Sequence, residues 1–408
     1  MNKNVRKQKA DLSKSSSTQL RPDLLSSVMA NFLVFAVLIF CYWLINNNEA
    51  LYNAIVQEDE IIEWSTAWAF LLASFGSVFG FILGNKKFKK FQWFYLGLSI
   101  FCFLVFMEEI SWGQRLFGYL PPNYFLENNF QQEFTAHNVI NDSFRMISVK
   151  VVILGYGVIL PLLMQFPASR RFLNYMGVVV PPYELIPSFF AVFYIYQIYP
   201  WDFTGEVIEL MLGMCFLFTV LFRLWDFKLE IKKSKRYWQL ISVLGVALLS
   251  VGLSAGTVRV NNYKNNSPIK RDACYKELQA IEKDFANRAK ELGRSPFKNY
   301  FHHRLYTVVK NNDFNWIYKG QFANLTKEGL NQDRADYFID PWNMAYWLLY
   351  KYDKATGRKR IVAYSFGPNR KRDSDHWTLK GDDIGIILWD TGLKYPYISE
   401  NEIVPKSY

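Results

Sequence analysis

The sequence predicts a multi-pass α-helical membrane bundle of about seven spans, followed by a small α+β domain outside the membrane. Three observations carry that prediction. The 408-residue chain is 51% hydrophobic and 18% aromatic, which leaves room for a bundle and one further domain. Its apolar runs have the length, roughly 17–25 residues, that crosses ~30 Å of hydrocarbon. After Val258 the composition turns polar, with turn signals and strand-like aromatic runs.

In chain order, residues 1–26 are rich in Lys, Ser and Gln and read as a disordered cytoplasmic tail. The transmembrane domain covers 27–258, with spans near 27–46, 63–84, 91–107, 147–166, 184–200, 206–224 and 238–258. The third run is short, and Pro181, Pro182 and Pro187 interrupt the start of the fifth. Residues 259–269 form a linker and 270–408 the outer domain. The first apolar run is too long for a cleavable signal and has no small-residue cleavage site.

Loop charge orients the bundle. Lys3, Arg6, Lys7, Lys9, Lys14 and Arg21 precede the first span, and Lys86, Lys87, Lys89 and Lys90 follow the second. Arg170 and Arg171 follow the fourth span, and Arg223, Lys228, Lys232, Lys233, Lys235 and Arg236 close the sixth. The alternate loops are almost free of cations, which predicts an inner-membrane protein with a cytoplasmic amino terminus and an extracytoplasmic, periplasmic carboxyl domain. The net charge of +11 is then explained by topology and anionic lipid rather than nucleic acid. Cys41, Cys102 and Cys215 lie in spans and leave Cys274 alone outside, so the outer domain has no disulfide framework.

Polar clusters fall on the outer side. Residues 91–118 read FQWFYLGLSIFCFLVFM and then EEISWGQRLFG, which puts Glu108 and Glu109 at the carboxyl end of a helix. There the dipole disfavours carboxylates, so a pair kept at that place reads as a site. If the helix instead continues to Gly118, Glu108, Trp112 and Arg115 share one face, and a Glu–Arg pair there is structural. Glu60, Glu63, Glu206 and Glu209 begin outward-to-inward helices, where acids also serve as caps. His137 is the only histidine of the membrane half, four residues after Glu133. One His does not make a zinc hydrolase. A carboxylate-rich site with one His suits a hard cation or general acid–base chemistry. The candidate catalytic set is Glu63, Glu108, Glu109, Arg115, His137 and Glu206. The membrane half has no phosphate loop, G-x-S-x-G elbow or HEXXH pair.

In the outer domain, Cys274, Leu278, Ile281, Phe285 and Leu292 form one apolar stripe of a helix over 270–292. Strand-like runs at 345–352 and 360–366 flank the turn Asp353–Gly357 and read as a hairpin. The residues Asp340-Pro341-Trp342-Asn343 with Tyr346, then Tyr364-Ser365-Phe366-Gly367, then Asp382-Asp383-Ile384, resemble the major pseudopilin of type II secretion. They match in kind and order that family's Asp-Pro-Trp-Gly-Asn-x-Tyr, Ser-x-Gly-x-Asp-Gly and Asp-Ile motifs. The match covers about 70 residues, and a membrane helix entering a helix and a β-meander is similar in plan.

The resemblance implies a calcium site formed by Ser365, Asn369, Asp382 and Asp383, with oxygen ligands suited to that ion. The chain departs from the family where Asn369-Arg370, followed by Lys371 and Arg372, stands in place of Asp-Gly. Asp382 and Asp383 also read as caps of a turn. A second departure is that the pilin-like helix is the last of seven spans, with no processing site before it, so the module reads as a binding or capping domain.

Activity stays open at this stage. One reading is an integral-membrane enzyme acting at the outer leaflet on a lipid or lipid-linked substrate. Another is a non-catalytic envelope scaffold or receptor whose outer module binds a partner protein or glycan. The third, an ion or proton pathway, needs polar residues through the bundle's depth, and the mid-span positions are almost purely apolar.

Overall fold

The structure, a computed structural model, describes residues 22–57, 59–129, 131–136, 138–227, 235–292, 303–311, 332–374 and 379–391. Most of the expected amino-terminal tail, together with His137, lies outside the described residues. The chain forms two compact units. One comprises residues 1–110 and 140–258, and the other 111–139 and 259–408.

The first unit is helical: α1 (Leu24–Asn47), α2 (Ile61–Phe88), α3 (Trp93–Glu109), α4 (Ser143–Leu163), α5 (Pro167–Met176), α6 (Ile186–Ile198), α7 (Thr204–Trp225) and α8 (Lys235–Asn265). Five of these, α1, α2, α4, α7 and α8, are long and apolar enough to cross a membrane. The expected third and fifth spans are helices too, but α3 has 17 residues and α6 only 13. The proline interruptions shorten α6: Pro182 precedes a single 3-10 turn, and Pro187 sits in the helix's first turn, where a missing N–H costs nothing.

α2 packs most extensively against α7 and α3. Beside Trp64 and Phe70 its buried face carries many small residues, among them Ala69, Ala73, Ser77 and Gly80, which let backbones approach closely. A side chain at Gly80 would collide with the Tyr95 ring. α7 is the most deeply buried helix and contributes Val207, Met211, Cys215 and Phe218 to the core. α4 winds as a π-helix over Val151–Ile159.

The second unit joins α9 (Pro268–Leu292), α10 (Leu305–Asn311) and α11 (Gln332–Tyr337) to a three-stranded antiparallel sheet. Its strands are β1 (Trp347–Tyr352), β2 (Lys359–Ser365) and β3 (Ile384–Asp390), in the order β1-β2-β3. The expected hairpin is present, with Trp347 opposite Tyr364 and Tyr352 opposite Lys359. Asp353 closes its turn by accepting from the Ala355 N–H and the Thr356 hydroxyl. Side chains alternate between the faces. Leu348, Ala363 and Ile386 join Cys274, Leu278, Ile281 and Phe285 of α9 in one core, while Leu349, Val362, Tyr364 and Ile387 form another with Leu379.

Two boundaries differ from those read in the sequence. The linker expected over 259–269 is largely helix, because α8 runs to Asn265 and α9 begins at Pro268. Nothing in Arg259–Lys264 breaks a helix, and polar composition alone does not end one. Residues 111–139, placed by sequence among the membrane loops, instead fold with the second unit. Leu126 is buried in its core, Arg304 donates to Asn129 O, and Gln132 Nε2 donates to Tyr337 O. A fragment of residues 259–408 should therefore melt lower than one in which residues 111–139 are joined to it by a flexible linker. Equal thermal unfolding curves for the two fragments would show that the segment adds nothing to the fold.

Candidate functional site

The acid-lined end of the bundle is built where α3 ends and α2 and α7 begin. α3 stops at Glu109 because the chain leaves helical geometry at once: Ser111, Trp112 and Gly113 all have positive φ, at 47°, 54° and 85°. Glu108, Trp112 and Arg115 therefore do not share a helix face, and the structural clasp considered for them has no helix to carry it. Arg115 lies in the separate short helix Gln114–Phe117, and its side chain lies outside the described residues.

Glu63, Glu108, Glu206 and Glu209 all act electrostatically on the half-buried Glu109. Carboxylates from three helices thus share one end of the bundle. Glu63 in the first turn of α2 also accepts the Asp59 N–H, so one of its oxygens caps that helix. Glu206 sits in the first turn of α7, and Glu209 follows one turn on. Arg145 at the start of α4 and Glu209 both act on Tyr196, which puts a cation on the Tyr196 side of this end of the bundle. Sequence reasoning did not select Glu209 or Arg145. Glu209 repeats Glu206 at i+3, a spacing that would have found it, but Arg145 carries no local signal.

Of the expected catalytic set, Glu63, Glu108, Glu109 and Glu206 converge. Arg115 and His137 belong to the other unit. The remainder of the EEISWGQR motif is architectural. Ser111 donates to Glu133 Oε2 at 3.0 Å, and Gln114 Oε1 accepts from the Phe134 N–H at 2.8 Å. The Tyr119 hydroxyl donates to Trp112 O at 2.8 Å. Among the described residues, no three His, Cys, Asp or Glu side chains are grouped so as to hold a metal ion.

The four residues expected to hold calcium do not act as one group. Ser365 donates its hydroxyl to Asp340 at 2.5 Å and accepts from the Gly367 N–H. Asn369 is tied to Asp373 Oδ2 and to the Lys371 N–H, at 2.7 and 2.8 Å. Asp382 pairs with Arg271 at 3.2 Å. Asp383 alone fits a cation's needs. It is buried, its Oδ2 accepts from the N–H groups of Asp373 and Ser374, and its Oδ1 has no partner among the described residues. Burial, with the neighbouring Asp373 carboxylate, pushes its carboxyl up to about 8. Asp373, hidden in sequence among Lys and Arg, is the residue that belongs beside it.

With this geometry in place, comparison with known protein families, with curated sequences and with solved structures finds no match to the chain.

The raised Asp383 carboxyl has a consequence for stability. A group that holds its proton more tightly when folded contributes stability that is full below its unfolded pKa, near 4, and lost as pH rises through about 8. The thermal unfolding temperature of the full chain's second transition should therefore fall from pH 6 to pH 8.5. Asp383→Asn, neutral throughout, should shrink that fall, and an unchanged fall would place the pH dependence elsewhere.

Proposed function

We propose that the chain is an integral-membrane enzyme that acts, at the acid-lined end of its bundle, on a lipid or lipid-linked substrate. The convergence of Glu63, Glu108, Glu206 and Glu209 on Glu109 carries this reading. Carboxylates that feel one another's charge repel, and the arrangement is stabilised when protons or a donor-rich ligand are shared among them. Two carboxyls held in different protonation states can serve as base and acid on one substrate. Glu109, partly enclosed at the end of α3, takes the base role, and Glu108 or Glu206 returns the proton.

The membrane setting of this proposal counts seven spans, with α3 and α6 added to the five long helices. At 1.5 Å per residue they rise about 25 and 20 Å, short for ~30 Å of hydrocarbon unless flanking turns complete the crossing. The basic loops support a cytoplasmic amino terminus in the inner membrane and an extracytoplasmic second unit. Reporter fusions after Lys90 and at Tyr408 should read opposite sides, and the same side for both would remove this topology.

A second reading is favoured by the second unit, where a helix packs on a three-stranded antiparallel meander. In it the chain is an envelope scaffold or receptor with a pseudopilin-like module that binds a protein or glycan. Asp383 Oδ1, buried and unpartnered among the described residues, would with Asp373 seat a calcium ion. Calcium should then raise the melting temperature of the unaltered chain and leave Asp383→Asn unmoved, by mass action on the folded state.

The enzyme reading is tested at α3. Glu109→Gln keeps size and removes the proton-accepting oxygen, so it should reduce function in a deletion-complementation assay by about 10²-fold or more. Membrane insertion and detergent-solution unfolding temperature should stay near those of the unaltered chain. A variant that complements fully refutes the role. One that fails because folded protein is lost makes the cluster structural.

A further inference from the structure

A groove of about 240 Å³ opens on the flank of the first unit between α3, α4 and α7. Trp93, Phe94, Gly97, Phe101, Tyr156 and Phe216 line it, and all its surface is apolar. Tyr156, carried on the π-helical stretch of α4, stacks on Phe216 at 5.3 Å and faces Phe94 at 6.1 Å. Its hydroxyl is shut in without a hydrogen-bond partner among the described residues. A Cβ added at Gly97 would meet nothing within 4 Å, so the groove is open there. From Trp93 to Phe101 it follows α3 for about 12 Å, room for a segment of one hydrocarbon chain.

Its mouth is basic. Trp93, the first residue of α3, donates its indole N–H to Met176 O at 2.5 Å. Lys90 donates to the adjacent Tyr175 O at 2.8 Å and lies 5.3 Å over the Tyr175 ring. The same end of α5 thus fixes both the aromatic wall and the ammonium, which has donors to spare. Lys89 and Arg171 are exposed beside them, Arg171 one turn before Tyr175 on α5. This is the end of the bundle opposite the carboxylate cluster, since α3 begins here and ends at Glu109.

Cations gathered at the mouth of an apolar groove suit a phospholipid with a negative head. We propose that the groove binds one acyl chain of an anionic phospholipid along Phe94, Gly97 and Phe101, with its phosphate held by Lys89, Lys90 and Arg171. The site is separate from the carboxylate cluster and independent of the activity proposed there. A neutral or cationic head would find no complementary charge at that mouth. A helix from a second copy would need a longer apolar seam than this one.

The test uses the full chain in nanodiscs doped with phosphatidylglycerol bearing a diazirine on its acyl chain, with labelled peptides mapped by mass spectrometry. Labels should concentrate on residues 93–101 and 151–159. Gly97→Phe, or Gly97→Leu where the larger residue lowers the yield of folded protein, should cut them at least fivefold. Gly245→Phe is the control, at another glycine whose Cβ would meet nothing within 4 Å. It should leave the labels unchanged. Phosphatidylcholine with the same tail should label the groove several-fold less, and combined Lys89→Gln and Arg171→Gln should erase that preference. Labelling spread evenly over the lipid-facing helices, equal labelling by both heads, or indifference to both Gly97 variants would each overturn the proposal. Crosslinks joining two copies through residues 93–101 would overturn it too, by assigning the groove to a neighbouring chain.

Discussion

The reversal at Ile110–Gly113 is the constraint on which the other features depend. Three successive residues in left-handed geometry, two of them not glycine, cost energy of about 1–3 kcal/mol for each non-glycine residue unless their surroundings hold them. The contacts that hold them are specific: the Ser111 hydroxyl on Glu133, the Tyr119 hydroxyl on Trp112 O, and the Trp112 ring 5.8 Å from Phe134. Because the helix is forced to stop, Glu109 remains at the end of α3 while Ser111 and Gln114 are buried in the second unit. A helix continuing to Gly118 would leave the acids in mid-helix instead of in a last turn.

Helix polarity then distinguishes the acids. Glu63 and Glu206 lie in first turns, where exposed N–H groups and the dipole favour them. Glu108 and Glu109 lie in a last turn, where the same field opposes them. The ends of α2 and α7 supply part of the missing positive potential, and Arg145 stands beyond, next to Tyr196. The two acids thus sit in a field from α3 that disfavours their charge. An arrangement of that kind is expected where charge has to be available to something that binds.

Much of this was legible in the residues, and the failures have physical causes. Period and length located α1 to α4 and α6 to α8 of the first unit, but not α5, which is short and amphipathic. The stripe Cys274, Leu278, Ile281 and Phe285 is buried as its spacing implied. Residues 111–139 misled because their contribution to the second unit rests on two apolar anchors, Leu120 and Leu126, and on hydrogen bonds at Asn129 O and Gln132 Nε2, none of which has a period. The linker misled because polarity was taken for irregularity, although a helix leaving a membrane is as polar as a loop. Asp373 stayed hidden because its cationic neighbours disguised a carboxylate that turns inward to Asn369 and the Asp382 N–H.

The motifs behind the pseudopilin comparison also have roles that need no ligand. Asp340 accepts the N–H groups of Trp342 and Met344, both at 2.9 Å, and takes the Ser365 hydroxyl on its other oxygen. Trp342 is buried and donates its indole N–H to Asn265 O at 2.8 Å, binding the turn to the end of α8. Gly367 has φ of 68° and backbone so close to Asp382 O that a side chain would not fit. Turn geometry alone accounts for Asp-Pro-Trp, Ser-x-Gly and the first Asp of Asp-Asp. Residues retained for those reasons are weak evidence for a shared ligand. Asp383 is different, because burying a carboxylate oxygen without a donor weakens the fold instead of completing a turn. Any inherited binding function in this unit must therefore rest on Asp383 and not on the motifs around it.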